Sequence, residues 1–209
     1  MIAHARFWDG IAESYAKKPV ANLPVYQRKL AATYEHLRPS DVVLDIGCGT
    51  GSLVLDLAPR VSEIHGADLS EGMVAIANRK ARAQGADNVT FHTCTVDQLE
   101  FAAESFDVIC AYNILHLVDD RHRALRTIMG LLRPGGKFIS STPCLGGPWS
   151  PIRLLFPVMR LFGKAPSVLR VFKPAQLEEA VREVGFRDLI KPELHAPPRT
   201  FFAIATKPA

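Results

Sequence analysis

The chain has 209 residues, of which 48% are hydrophobic and 22% charged, so it is long enough for one unstapled core and too apolar for extensive disorder. Its net charge of +4 is spread among acids except at Arg153, Arg160, Lys164, Arg170 and Lys173, ahead of Glu178; this is a local electropositive face and gives no ground for sequence-specific nucleic-acid reading. No apolar run approaches the roughly 20 residues of a membrane span.

The first 38 residues read as two cap helices, one through Phe7-Trp8-Asp9 to Tyr15 and one over Leu23 to Leu37, ending before Pro39. Short apolar runs then alternate with amphipathic stretches: Val42–Ile46, Ser52–Ala58, Glu63–Leu69, Met73–Ala83, Val89–Thr93, Phe106–Tyr112, Arg121–Leu132 and Lys137–Ser141. Strands alternating with helices define an α/β fold, a parallel sheet covered on both faces. The rhythm breaks at Thr142-Pro143-Cys144, and residues 148–173 form an insertion whose apolar piece, Ile152–Phe162, reads as a core helix, a lid over an apolar ligand, or a peripheral membrane contact through its arginines. Pro174 opens a helix closed by Gly185, and Phe186–Ile190 with Thr200–Thr206 is an antiparallel pair. The four cysteines, Cys48, Cys94, Cys110 and Cys144, lack any Cys-x-x-Cys spacing. They read as reduced, buried thiols, with no metal site expected, and with no signal peptide ahead of Phe7 the expected location is cytoplasmic.

The segment Asp45-Ile46-Gly47-Cys48-Gly49-Thr50-Gly51 joins the first strand to a helix. Its glycines permit positive φ and close approach of a ligand to backbone amides. Asp45 is placed to anchor the ammonium of an amino-acid cofactor and would repel a pyrophosphate. About 20 residues on, Asp68 ends the second strand, where it can accept from both ribose hydroxyls. Ser52 stands where a dinucleotide fingerprint would need its last glycine, so the cofactor indicated is S-adenosyl-L-methionine, with S-adenosyl-L-homocysteine as product.

These motifs, together with Phe7-Trp8-Asp9 and Tyr15, Asp68-Leu69-Ser70 with Met73, Ser105-Phe106-Asp107-Val108-Ile109 and Leu132-Arg133-Pro134-Gly135-Gly136-Lys137, resemble the class I methyltransferases. The likeness is strongest to the small-molecule branch that includes ubiquinone and menaquinone biosynthesis enzymes. The resemblance implies a Rossmann-like, seven-stranded sheet of order 3-2-1-4-5-7-6 with strand 7 antiparallel. It also implies cofactor contacts from Tyr15, Leu69 and Met73, and from the loop residues Asp45, Gly47, Cys48, Gly49 and Gly51. Adenine is expected at the end of the third strand, where Thr95-Val96-Asp97 replaces the Asp-Ala pair common among relatives; the ring edge falls to the Val96 amide, and the exocyclic amine to either Thr95 or Asp97.

Asn113 follows the fourth strand and is placed to pack its backbone against the methionine portion, and His116 is the candidate base for a phenol, enol or hydroxyl. Its plain alternative is a structural hydrogen bond. Tyr26 reads as a packing residue on the cap helix. The expected activity is methyl transfer to a small, apolar quinone, phenol or lipid-like acceptor by a monomer or homodimer. A non-catalytic cofactor-binding module stays open as an alternative. Nucleic-acid methylation is disfavoured, because Asn113-Ile114-Leu115-His116 lacks the Pro-Pro-aromatic signature after the fourth strand.

Overall fold

The computed structural model describes residues 2–144, 146, 152–162, 165–195 and 200–209. Residues 148–151 of the insertion and Lys164 lie outside the described residues. The strands are β1 (Val42–Ile46), β2 (Glu63–Asp68), β3 (Val89–Thr93), β4 (Phe106–Tyr112), β5 (Leu132–Pro143), β6 (Arg187–Ile190) and β7 (Thr200–Thr206). Among the described residues they form one sheet of order β3-β2-β1-β4-β5-β7-β6. β3, β2, β1, β4 and β5 pair in parallel, and β7 runs antiparallel to both β5 and β6. The sheet order inferred from resemblance is the one that forms.

Central strands of a two-sided sheet must be apolar along their whole length. Val43, Leu44, Val108, Ile109, Cys110 and Ile139 are fully or almost fully buried. The helices are α1 (Ile2–Ala16), α2 (Leu23–Tyr34), α3 (Ser52–Leu57), α4 (Glu71–Gln84), α5 (Arg121–Leu131), α6 (Ile152–Leu161) and α7 (Pro174–Glu183). On one face α5 and α7 bring Leu125, Ile128, Leu177 and Val181 onto Phe106, Phe138 and Phe201. On the other, α2 and α3 bring Ala32, Val54 and Leu57 onto Val43, Ile64 and Ile204. Helix starts follow side-chain capping: Ser70 Oγ accepts from Met73 N at 3.1 Å to open α4, and Asp120 Oδ1 accepts from Arg123 N at 3.0 Å to open α5.

Two expectations change. The fifth strand, expected at Lys137–Ser141, already begins at Leu132: Leu132 pairs with Phe106, the chain bulges through Arg133–Gly136, and pairing resumes at Lys137 with Val108. Arg-Pro-Gly-Gly is therefore a bulge within the strand. A side chain at Gly136 would sit 2.8 Å from the Arg133 carbonyl. Asp107 locks this corner, accepting from Arg133 Nη1 at 2.6 Å and from Val42 N at 2.8 Å, so the Phe-Asp and Arg-Pro motifs serve the sheet.

The second change concerns α6. It is not a core helix: Leu155, Val158, Leu161 and Phe162 are 54%, 53%, 83% and 70% exposed. Its sequence is apolar nearly all round, but Pro157 interrupts it, and none of these side chains has a buried place.

Candidate active site

β1 and β4 lie side by side although β2 and β3 intervene in sequence, which opens a crevice beyond their C-terminal ends. There the structure holds a cavity of about 510 Å³, a size suited to a cofactor plus a small partner. Its floor is the loop after β1. Gly47 N and Cys48 N both donate to the Ala67 carbonyl, at 2.7 and 3.0 Å, pulling the loop against β2. Gly47 (φ +72°) has no room for a side chain because Ile114 Cγ1 would lie 2.7 Å away. Gly49 (φ +53°) instead faces open space.

Asp45 lines the cavity and is only 2% exposed, with no partner for Oδ1 among the described residues. Burial, and then the nearby Asp68, push its pKa well above the ordinary carboxylate value. A buried oxygen in this state calls for a cation or a donor. Asp68 also lines the cavity; its Oδ2 accepts from Gly49 N and its Oδ1 from Ser70 N, both at 2.9 Å. Burial raises its pKa while the amides of Ser70 and Gly49 oppose the rise. A carboxylate has about four accepting positions, so Asp68 retains capacity beyond these amides.

Of the other expected cofactor residues, Tyr15, Cys48, Leu69, Met73 and Asn113 all reach the cavity wall. Tyr15 comes from α1 and is 46% exposed. Asn113 takes a left-handed conformation (φ +57°) at the end of β4, where its amide donates to the Ser141 carbonyl at 2.6 Å. The Cys48 thiol is pushed well up by burial. Tyr26 also reaches the wall, its hydroxyl donating to Asp56 Oδ2 at 2.6 Å.

Gly51, Thr95, Val96, Asp97 and His116 stand apart from this cavity. A methyl group at Gly51 would meet Phe91 and Ala77 at 2.8 and 2.9 Å, so this glycine admits packing of β3 and α4. Thr95 opens a single turn over Val96–Gln98, its hydroxyl donating to Gln98 Oε1 at 3.0 Å, and Asp97 pairs with Arg123 at 2.9 Å. His116 is 8% exposed; its Nδ1 is unpartnered among the described residues, and burial lowers its pKa to about 4. His92, with no partner evident in sequence, meets His65 at 3.0 Å.

Sequence reasoning missed Lys29, Lys80 and Tyr112, which also line the cavity. Lys29 is half-buried, and desolvation alone lowers its pKa. Lys80 donates to Thr50 Oγ1 at 2.9 Å and is likewise lowered by burial. Tyr112 O–H donates to the Lys29 carbonyl at 3.4 Å. Nothing in a helical pattern distinguishes such a lysine from one on a solvated face.

The sheet order is the one expected from the resemblance to the class I methyltransferases, and residues 43–136 match the model of a methyltransferase domain. Those residues cover both acid-bearing strand ends and the loop between them. A ubiquinone biosynthesis O-methyltransferase of Rhizobium rhizogenes is 38% identical over 134 residues, 64% of this chain and 48% of its own length. The chain spans about half the length of the curated relatives it matches. Among solved structures, YcgJ of Bacillus subtilis superposes with a TM-score of 0.70 at 25% identity, covering 80% of this chain and 71% of its own. A phosphoethanolamine N-methyltransferase 2 of Haemonchus contortus, solved with S-adenosylhomocysteine, gives 0.68 at 25% identity over 79% of this chain and 38% of its own.

Proposed function

We propose that the protein is an S-adenosylmethionine-dependent methyltransferase acting by direct transfer on a small, apolar acceptor of the quinone, phenol or lipid-like kind. The observation that carries this reading is the buried Asp45 carboxylate, facing the cavity with an unpartnered oxygen beside Asp68. An α-ammonium group is the cation that Asp45 lacks, and ribose hydroxyls are the donors that Asp68 can still accept.

Lys29 completes the amino-acid end. Tyr26 and Tyr112 both feel the charge of Asp45, and both neighbour Lys29, one a turn away on α2 and one bonded to its carbonyl. A half-buried ammonium whose pKa is lowered by desolvation suits the cofactor's carboxylate. Tyr15, Leu69, Met73 and Asn113 frame the remainder, and Thr95–Asp97 border adenine only where the ring extends past the cavity.

The bound cofactor supplies a methyl group on a sulfonium that is already a good leaving group. The chain's residues align the acceptor and exclude water, and a base is needed only for an acceptor that must lose a proton. His116 would have to move into the cavity to take that role. Its absence from the cavity lining favours a second reading, a cofactor-binding module without turnover.

The cap helices and residues 148–173 belong, in this reading, to a single domain, with Pro166 and Val168 lining the cavity directly after α6. Helix α6 is the lid-side surface that touches a membrane, and four free thiols fit a reducing, cytoplasmic setting. No helix among the described residues is long and apolar enough to cross a membrane.

Calorimetric titration with S-adenosylhomocysteine tests the cofactor. Wild type should bind, and Asp68→Ala should bind at least tenfold more weakly, since it strands the ribose hydroxyls; equal affinity would overturn the assignment. Release of S-adenosylhomocysteine with quinones, phenols and phospholipids as acceptors separates an enzyme from a binding module.

A further inference from the structure

Helix α1 is tied to the rest of the molecule through α4. Ala12 packs with Met73 and Ile76, and Trp8, Ile11 and Ala16 close around them. The same helix presents Trp8, Tyr15 and Ala16 to the cavity, so α1 is a wall of the site that rests on its neighbour's first turns. The chain from α1 to α2 is exposed at residues 17–22 and ends at Asn22 in a left-handed conformation (φ +53°).

The polar tie between these helices is unusually well connected. Asp9 Oδ1 accepts from Ser70 Oγ at 2.6 Å and from Gly72 N at 3.0 Å. Ser70 is fully buried, accepts from Met73 N to cap α4, and donates its own amide to Asp68 Oδ1 at 2.9 Å. Asp68 holds Gly49 of the loop with its other oxygen. One hydrogen-bonded chain, Asp9 to Ser70 to Asp68 to Gly49, therefore runs from α1 to the floor of the cavity. Gly72 keeps the junction tight: a side chain there would lie 3.3 Å from Ala12 Cβ and 3.4 Å from Asp9 Oδ1.

We propose that Asp9 is a positioning residue that latches α1 over the bound cofactor by way of Ser70, so that cofactor release requires its two hydrogen bonds to break. The proposal rests on the reading that the cavity binds S-adenosylmethionine. Opening α1 withdraws Trp8 and Tyr15 from the cofactor and removes from Ser70 the acceptor that fixes its hydroxyl. Ribose contact at Asp68 and closure of α1 thus favour each other, because Ser70 holds both. The charge of Asp9 also raises the pKa of Asp68, which shows how near the latch stands to the ribose anchor.

The test is the dissociation rate of S-adenosylhomocysteine, read by stopped-flow fluorescence with Trp8 in the cavity wall as one reporter. Asp9→Ala should release the ligand at least fivefold faster, while Asp9→Asn, which keeps an accepting oxygen, should stay closer to wild type than Asp9→Ala. Glu13→Gln removes the exposed Glu13–Arg79 pair between the same two helices, and should change release less than twofold. An increase below fivefold in Asp9→Ala, or an equal increase in Glu13→Gln, would overturn the latch. Should Asp9→Ala not fold, hydrogen exchange on the wild type decides: S-adenosylhomocysteine should slow exchange in α1 and at Gly72 together, and unchanged α1 exchange refutes the proposal. A wild type that binds no S-adenosylhomocysteine overturns the cofactor reading and the latch with it. Binding with release insensitive to Asp9 overturns the latch alone.

Discussion

A carboxylate as enclosed as Asp45 destabilises the protein that carries it until something positive arrives. Its folded pKa is raised, first by burial and then by Asp68, so stability from this group is complete below the unfolded carboxylate pKa and is lost as pH rises through the folded one. At pH 7–8 the ligand-free protein therefore holds a strained acid, and Asp45→Asn should raise its melting temperature, each kcal/mol gained appearing as about 2–4 °C. The same substitution should weaken S-adenosylhomocysteine binding tenfold or more, because the ammonium loses its counter-charge. Calorimetry and thermal melts on one preparation check both signs; lower stability with full affinity would contradict this role.

His116 shows the opposite linkage. Its pKa falls from 6.5 to about 4 through burial, so its contribution is complete above pH 6.5 and disappears as pH falls toward 4. By pH 4.5 this amounts to roughly 2–3 kcal/mol. Denaturant midpoints between pH 7 and 4.5 should fall more steeply for wild type than for His116→Gln, and parallel slopes would show that the imidazole is not buried neutral.

Among elements, the loop after β1 separates two uses of glycine that look alike in sequence. Gly49 and Gly51 both have positive φ, but a methyl group at Gly49 enters open cavity space whereas one at Gly51 strikes Phe91 and Ala77. Gly49→Ala should cost only the left-handed strain of about 1–2 kcal/mol and yet impair ligand binding. Gly51→Ala adds a steric penalty of about 1–3 kcal/mol and should melt at the lower temperature. Melting curves with and without S-adenosylhomocysteine distinguish them. This difference also marks what was legible. The run Val42–Asp68 announces itself because apolar strands, positive-φ glycines and strand-end acids are all local signals. Asp97, expected at adenine, is held by Arg123 from a distant helix, and Lys29 looks like any solvated lysine until folding places it in the cavity wall. The bulge in β5 was hidden for a related reason: Arg-Pro-Gly-Gly carries turn chemistry, and only the pairing of Leu132 with Phe106 shows that the strand has already begun. Periodicity left three readings of α6 open, since apolarity alone does not say whether a partner exists to bury it.

For the whole molecule, the sheet fixes where a ligand binds and leaves open from where the acceptor comes. The charge distribution speaks to that second question. No Asp or Glu occurs between Asp120 and Glu178, while Arg153, Arg160, Lys164, Arg170 and Lys173 fall within that span. The same span contains α6, with Leu155, Val158, Leu161 and Phe162 in solvent, and leads directly to Pro166 and Val168 on the cavity wall. Apolar side chains flanked by cations are the composition of a helix that lies in a bilayer surface, where buried area and attraction to anionic lipid act together. An apolar acceptor would then reach the cavity from the side that touches lipid. Flotation with vesicles rich in phosphatidylglycerol should carry the wild type upward, and neutral phosphatidylcholine vesicles should carry less. Leu161→Ser with Phe162→Ser removes exposed surface and should reduce flotation severalfold without lowering the melting temperature; Arg153→Glu with Arg160→Glu should reduce it on the anionic vesicles specifically. Flotation unaffected by the charge reversal would remove the membrane from the account and leave α6 as a lid alone.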